Sequence, residues 1–229
     1  MRGQLLALAA IMLFLLWVEV PESLRGIAGY EPLHSLLEIF AIVVSGLIFA
    51  TAWNAQAHKA SGSLLLLAYT FLGVALLDFS HLMSFKGMPD YVTPSDPEKA
   101  INFWLAARLL AAVSLLLVAA LHWKPLRRPT HRYLLLLAVM SFVGLAHVLF
   151  LFYPSAIPRT FIAGTGLTAL KVHMEYGLIG LHLLAAGFLI WRQQSALGPH
   201  ATGLLGAVLT MAMSELFFTM YANVAEFGD

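Results

Sequence analysis

The sequence has no cysteine and few charged residues. Without cysteine the chain forms neither disulfides nor thiolate metal sites. Charged residues make up only 11% of its 229 residues and hydrophobic residues 60%, which is far outside the range for soluble globular proteins. The short alternating segments that a membrane β-barrel requires are also missing. The chain has instead repeated apolar runs of about 20 residues, the length at which a helix spans a bilayer.

Recognisable catalytic motifs are missing as well. The sequence contains no nucleophile elbow, no glycine-rich phosphate loop and no metalloprotease motif. Ser80 is next to His81 in sequence, but adjacent residues do not face each other on a helix, so they do not form a nucleophile–base pair. We therefore predict that the chain is not an enzyme, and we expect the lipid bilayer, and no nucleic acid, among its partners.

The apolar runs predict an all-α, polytopic transmembrane bundle that forms a single domain over residues 1–229. Residues 1–30 would hold the first span and an outer loop, and residues 31–229 the core of the domain. The first apolar run, Leu5–Val18, is not followed by a small-x-small cleavage site, so we interpret it as a retained span and not as a signal peptide. The seven predicted spans are 4–20, 33–53, 62–85, 101–122, 133–153, 168–191 and 201–221.

Lysine and arginine predict the orientation of these spans. With a cytoplasmic N-terminus, the inside segments carry seven of the 13 basic residues, the outside segments carry four, and Arg108 and Lys171 lie within spans. No acidic residue falls in an inside loop. Seven spans from an N-in start place the C-terminus outside, so we expect one further span, beyond Asp229, before any cytoplasmic domain.

Ionisable residues within the spans gather at the predicted outer ends. Six spans contribute at least one, and only His182 lies near the predicted mid-bilayer. Ionisable groups in lipid are costly and usually functional or paired, so clustering at one depth predicts a polar pocket open to the outside. A purely structural ion-pair network fits the same residues. The predicted pocket residues are His34, Glu38, Asp78, His81, Trp104, Arg108, His147, Lys171, Glu175 and Glu215.

A metal or haem is compatible with this set. Imidazoles and carboxylates suit zinc, iron or copper(II), and two histidines on facing helices can ligate haem. Spacing does not distinguish these cases, because the ligands come from different spans. A haem- or metal-binding redox membrane protein is therefore the alternative function. The candidate metal ligands are His34, Glu38, Asp78, His81 and His147.

Three segments of the chain resemble the third class of bacterial membrane-associated sensor domains, the MASE family. They are His34-Ser35-Leu36-Leu37-Glu38, Leu77-Asp78-Phe79-Ser80-His81-Leu82-Met83-Ser84-Phe85-Lys86-Gly87-Met88 and Phe103-Trp104-Leu105-Ala106-Ala107-Arg108. Lys171 and Glu175 match that family more loosely.

The resemblance implies a multi-pass sensory domain of the bacterial inner membrane, N-terminal to a histidine kinase or a GGDEF diguanylate cyclase. It also implies two-component or cyclic-di-GMP signalling. The expected partners are a small ligand from the periplasm or outer leaflet, a cytoplasmic output domain and a second copy of the chain, as a homodimer. The family resemblance identifies the role of the domain without naming its ligand.

Overall fold

The computed structural model describes residues 2–17, 30–54, 61–85, 87–121, 130–192 and 199–219. Within these ranges the regular secondary structure is α-helical apart from a single 3-10 turn, Pro154–Ala156, a two-stranded hairpin and an isolated β-bridge between Tyr91 and Thr93; the connections between helices are irregular. The elements are α1 (Arg2–Trp17), α2 (Tyr30–Asn54), α3 (Gly62–Ser84), α4 (Pro97–Ala120), α5 (Thr130–Phe152), β1 (Phe161–Ile162), β2 (Gly166–Leu167), α6 (Ala169–Arg192) and α7 (Pro199–Thr219). The predicted all-α polytopic class is confirmed.

The predicted number of spans is wrong, because six described helices and not seven are long and apolar enough to cross a bilayer. The helix α1 has 16 residues, so it is about 24 Å long, while the hydrocarbon core is about 30 Å thick. Residues 18–20 of the predicted first span lie outside the described residues. The six remaining helices, α2 to α7, agree with the predicted spans to within four residues at each end.

The largest boundary difference is at the start of α4, which begins at Pro97 and not at residue 101. Proline is favoured in the first helical turn, where its missing N–H is not needed. Asp96 is the N-cap residue. Glu98 places a negative charge in the first turn, where it interacts favourably with the helix dipole and stabilises the helix. Charged residues therefore belong to this helix, although hydropathy excluded them from the span.

The helix α3 occupies the centre of the bundle. It packs extensively against α2 and α4 and also against α5. The helix α4 also packs against α6, and α6 packs against α7. Gly73 allows the closest approach, because a Cβ atom there would lie 2.7 Å from Leu110 Cδ2 and 2.8 Å from Val139 Cγ1. Helices in lipid associate through such close packing and not through a hydrophobic driving force. We infer that the packing of α3 against α4 and α5 sets the rotation of α3 about its axis, and with it the direction in which its polar residues point.

Two connections cover the end of the bundle at which α3 and α5 finish and α4 and α6 begin; we call this the polar end. Between α3 and α4, the Lys99 Nζ atom donates hydrogen bonds to the backbone oxygens of Tyr91, at 3.2 Å, and Thr93, at 2.8 Å. Between α5 and α6, the β1–β2 hairpin is tied to α4, because Glu98 accepts from Thr160 N at 2.9 Å. These contacts fix both connections over the ends of the helices.

The predicted orientation places the polar end outside, and the absence of native cysteine makes this directly measurable. We expect an Ala163→Cys variant, exposed in the hairpin turn, to react with a membrane-impermeant maleimide in intact cells. A Leu121→Cys variant, exposed at the opposite end of α4, should react only after permeabilisation. The reversed labelling pattern would contradict the predicted orientation. The unsubstituted chain is the blank.

Candidate functional site

The polar end collects ionisable side chains from six helices. Four of the ionisable residues there are almost fully inaccessible: Glu175 at 0%, Glu215 at 1%, Asp78 at 2% and Lys171 at 3% relative exposure. Ionisable groups buried in this way require partners or a ligand. The structure sorts them into two clusters joined by Arg108. We call them the histidine cluster, of His34, Glu38 and His81, and the acid–lysine cluster, of Lys171, Glu175 and Glu215.

The histidine cluster is built by α2 and α3. His34 and Glu38 are four residues apart on α2 and so share a helix face. One possible ligand atom from each of the three residues lies within 4.8 Å of those of the other two. The His34 and His81 rings meet edge to face, with their centroids 5.8 Å apart. Two imidazoles and one carboxylate from two helices therefore converge on one point.

His81 is held in a defined orientation. Its Nδ1 atom lies 2.8 Å from the backbone oxygen of Ala100 in the first turns of α4. A carbonyl only accepts hydrogen bonds, so Nδ1 carries the proton and Nε2 is the basic nitrogen of the neutral ring. The Phe85 ring also packs against the cluster, with its centroid 5.1 Å from that of His34. The cluster is thus bordered by the α4 backbone at Ala100 and by the aromatic ring of Phe85.

Asp78 pairs with Arg108. The Arg108 Nη2 atom donates to Asp78 Oδ1 at 3.0 Å and to Oδ2 at 3.2 Å. The Asp78 side chain is 3% exposed and the Arg108 side chain 23% exposed. The guanidinium also interacts electrostatically with Glu38 of the histidine cluster and with Glu215 of the acid–lysine cluster. Arg108 is therefore ion-paired with Asp78, and its charge also acts at longer range on carboxylates of two other helices.

The acid–lysine cluster lies between α6 and α7. The Lys171 Nζ atom is 2.5 Å from Glu175 Oε1, one turn further along α6. It also donates to the Phe218 backbone oxygen, at 3.5 Å, near the end of α7. Glu215 interacts electrostatically with Arg108, Glu175 and Lys171. Two carboxylates here share one lysine and the neighbouring arginine.

Trp104 lies between the two cations. Its ring centroid is 5.8 Å from the Arg108 guanidinium carbon and 5.8 Å from Lys171 Nζ. Cations within about 6 Å of an indole face are attracted by its quadrupole. The Phe218 ring meets the same indole edge to face, at 4.7 Å between centroids. Trp104 thus connects α4 to both α6 and α7.

The structure does not bring His147 to the histidine cluster. Its Nε2 atom lies 2.8 Å from the Ser80 hydroxyl, and its Nδ1 atom lies 2.8 Å from the Val143 backbone oxygen. Both ring nitrogens are thus engaged between α3 and α5. His182 is fully buried, and its Nδ1 atom lies 2.9 Å from the Leu178 oxygen within α6. His147 therefore links two helices, whereas the hydrogen bond of His182 lies within α6 and its buried Nε2 atom has no hydrogen-bond partner among the described residues.

Besides the aromatic rings of Phe85 and Phe218, two polar groups around the site were not among the predicted residues. One is Ser80, which links α3 to His147 and lies 3.3 Å from the Tyr91 hydroxyl. The other is the Ala100 carbonyl, which orients His81. A backbone oxygen has no sequence signal. Ser80 had one, since it lies within the motif of the resemblance, but it was assessed only as a nucleophile.

A model of one protein family matches residues 26–229; it is MASE3, described as a membrane-associated sensor domain. The chain belongs to this family. The match confirms the resemblance noted from the three sequence motifs. No curated protein and no solved structure matches the chain.

A MASE3 domain is a sensor, so the chain is a multi-pass membrane protein with a sensory role. The motifs that indicated the family are the parts of α2, α3 and α4 that form the histidine cluster and the Asp78–Arg108 pair. What this site can do chemically is bind a polar or cationic ligand, because four carboxylates face two cations and the imidazoles carry no formal charge when neutral.

Proposed function

We propose that this MASE3 domain receives a signal at its polar end and passes it across the bacterial inner membrane to a cytoplasmic output. The ligand enters from the periplasm or the outer leaflet and binds at the histidine cluster and Arg108. The output is a histidine kinase or a diguanylate cyclase domain of the same protein, and the domain acts as a homodimer. No catalytic step is assigned to the domain itself.

One observation carries this proposal: Arg108 of α4 is ion-paired with the buried Asp78 of α3, and its charge also acts on carboxylates of α2 and α7. Arg108 hydrogen-bonds Asp78 of α3 and interacts with Glu38 of α2 and Glu215 of α7. A ligand that changes the charge at Glu38 changes the balance among these three interactions. Such a cation can settle in more than one arrangement, which is what a two-state switch needs.

Transmission follows from the position of these partners. A ligand shifts an equilibrium only by its differential affinity for the two states. A ligand at the histidine cluster contacts α2 and α3, and the response of Arg108 reaches α7 through Glu215. Relative movement of α2, α3 and α7 would then carry the signal to the opposite end of the bundle, the side on which the cytoplasmic output would lie.

The test is the output of the full-length signalling protein in membranes. We expect Glu38→Gln and His34→Ala to shift basal output at least about fivefold, the lower end of the range for coupling between sites. Both residues are only half-buried, so these variants should reach the membrane at the normal level, which immunoblotting checks.

The matched control is His173→Ala, which removes an exposed imidazole near the same end of α6. It should leave output unchanged. Basal output within twofold of the unsubstituted protein in both cluster variants would contradict the proposal.

A further inference from the structure

We propose that the histidine cluster, His34, Glu38 and His81, is a binding site for a divalent first-row transition-metal ion. This inference deepens the proposed function: the idea that the bound ion is the signal rests on the proposed sensory role. Binding itself depends only on the geometry of the three side chains.

The donor set suits such an ion. Two imidazole nitrogens and one carboxylate oxygen are ligands for zinc, copper(II), nickel and iron(II), and three protein ligands leave positions for water or exchange. The three ligand atoms lie within 4.8 Å of one another. In a tetrahedral zinc site they would be about 3.4 Å apart, given metal–ligand distances near 2.1 Å. Binding therefore requires each ligand atom to move inward by at most about 1 Å.

His81 has the support that metal-binding histidines show. A ligating imidazole almost always donates its other N–H to a carbonyl or carboxylate, which fixes the tautomer and orients the ring. The Nδ1 atom of His81 makes this bond to the Ala100 oxygen at 2.8 Å. The Nε2 atom is thereby the nitrogen available as a ligand. Because His81 is buried and held by α4, it is the fixed side of the site.

Charge also favours a divalent cation. Among the described residues, the electrostatic partners of opposite charge found for Glu38, Asp78, Glu175 and Glu215 are Arg108 and Lys171, so these six groups carry a formal charge of −2 when all are ionised. A divalent ion at Glu38 would neutralise it. It would also relieve Arg108 of one of its three carboxylates, which links binding to the switch described above.

The remaining candidate ligands are committed elsewhere. Asp78 accepts two hydrogen bonds from Arg108, and both nitrogens of His147 are engaged by Ser80 and Val143. Among the described residues the proposed site is therefore limited to three side chains. His34 and Glu38 are half-buried as residues, while His34 Nε2 and Glu38 Oε2 themselves are buried.

The experiment is metal titration of the purified chain in detergent after removal of bound metals with a chelator. Co²⁺ binding is followed by its visible absorption, and Zn²⁺ by displacement of Co²⁺ and by elemental analysis. We expect one ion per chain. His34→Ala, His81→Ala and Glu38→Gln should each weaken binding at least about 10- to 100-fold, the loss seen when even a hydrogen-bond partner of a ligand is removed. His173→Ala, the control for adventitious histidine binding, should bind like the unsubstituted chain.

Absence of binding by the unsubstituted chain, or unchanged affinity in His34→Ala and Glu38→Gln, would overturn the metal site. These two variants keep the test decisive if His81→Ala does not fold. A Soret absorption band would also overturn it, by showing that the histidines bind haem. The two experiments can reject each proposal independently. Altered output without metal binding would reject only the metal site, and metal binding without altered output would reject only the sensory role.

Discussion

Arg108→Leu is expected to lower the free energy of unfolding by about 3–5 kcal/mol, the cost of removing one partner from a buried ion pair. The substitution replaces the guanidinium by a shorter apolar side chain and leaves Asp78 without its two hydrogen bonds. Glu38 and Glu215 lose the favourable electrostatic interaction with the same cation. The measurement is equilibrium unfolding of the purified chain in detergent micelles.

Arg159→Leu is the matched control. Arg159 also pairs with a carboxylate, Glu98, at 2.8 Å, but its side chain is 62% exposed. Exposed pairs contribute about 0–1 kcal/mol. Glu98 would also keep its hydrogen bond from Thr160 N. Equal losses from Arg108→Leu and Arg159→Leu would show that Arg108 has no special structural role.

Lys171→Met is expected to be the second large effect, again about 3–5 kcal/mol. It removes the cation 2.5 Å from Glu175, whose side chain is completely inaccessible. The remaining carboxylate also interacts unfavourably with Glu215, so two like charges would be left with Arg108 as the cation that acts on Glu215 among the described residues. The same unfolding measurement applies.

The double variant Lys171→Met/Glu175→Gln separates the lost ion pair from lost packing. If the unpaired charge of Glu175 causes the damage, neutralising it should restore most of the stability, because replacing both partners of a pair is often close to neutral. A double variant as unstable as Lys171→Met alone would instead assign the loss to the packing of the lysine stem and its contact with Trp104.

The sequence predicted the depth of the site but not its pairings. Glu38, Asp78, Arg108, Lys171 and Glu215 each interrupt a long apolar run, so their positions along the helices could be read directly. Which helices face each other, and how each is rotated, depends on packing that no spacing reveals. Asp78, and not Glu38, receives the hydrogen bonds of Arg108 because contacts such as those at Gly73 set the rotation of α3 against α4.

His147 illustrates the same limit on the other side. Its depth matched that of the pocket residues, so it was included among the candidate ligands. Its rotation directs it to Ser80, on the α3 face that meets α5. The first predicted span failed for a different reason: composition identified an apolar helix at α1 but overestimated the length of helix that forms among the described residues.

The helix α2 carries two of the three proposed ligands, yet it is the least enclosed of the six long helices. Only 11% of the most apolar stretch of this helix is buried inside the protein. With 25 residues it is about 37 Å long, which exceeds the hydrocarbon core and favours tilting to a degree set by bilayer thickness. His34 and Glu38 move with that tilt, while His81 is fixed to α4. We therefore expect lipid composition to tune the affinity of the cluster, so that the surrounding bilayer acts as a modulator of what the domain senses.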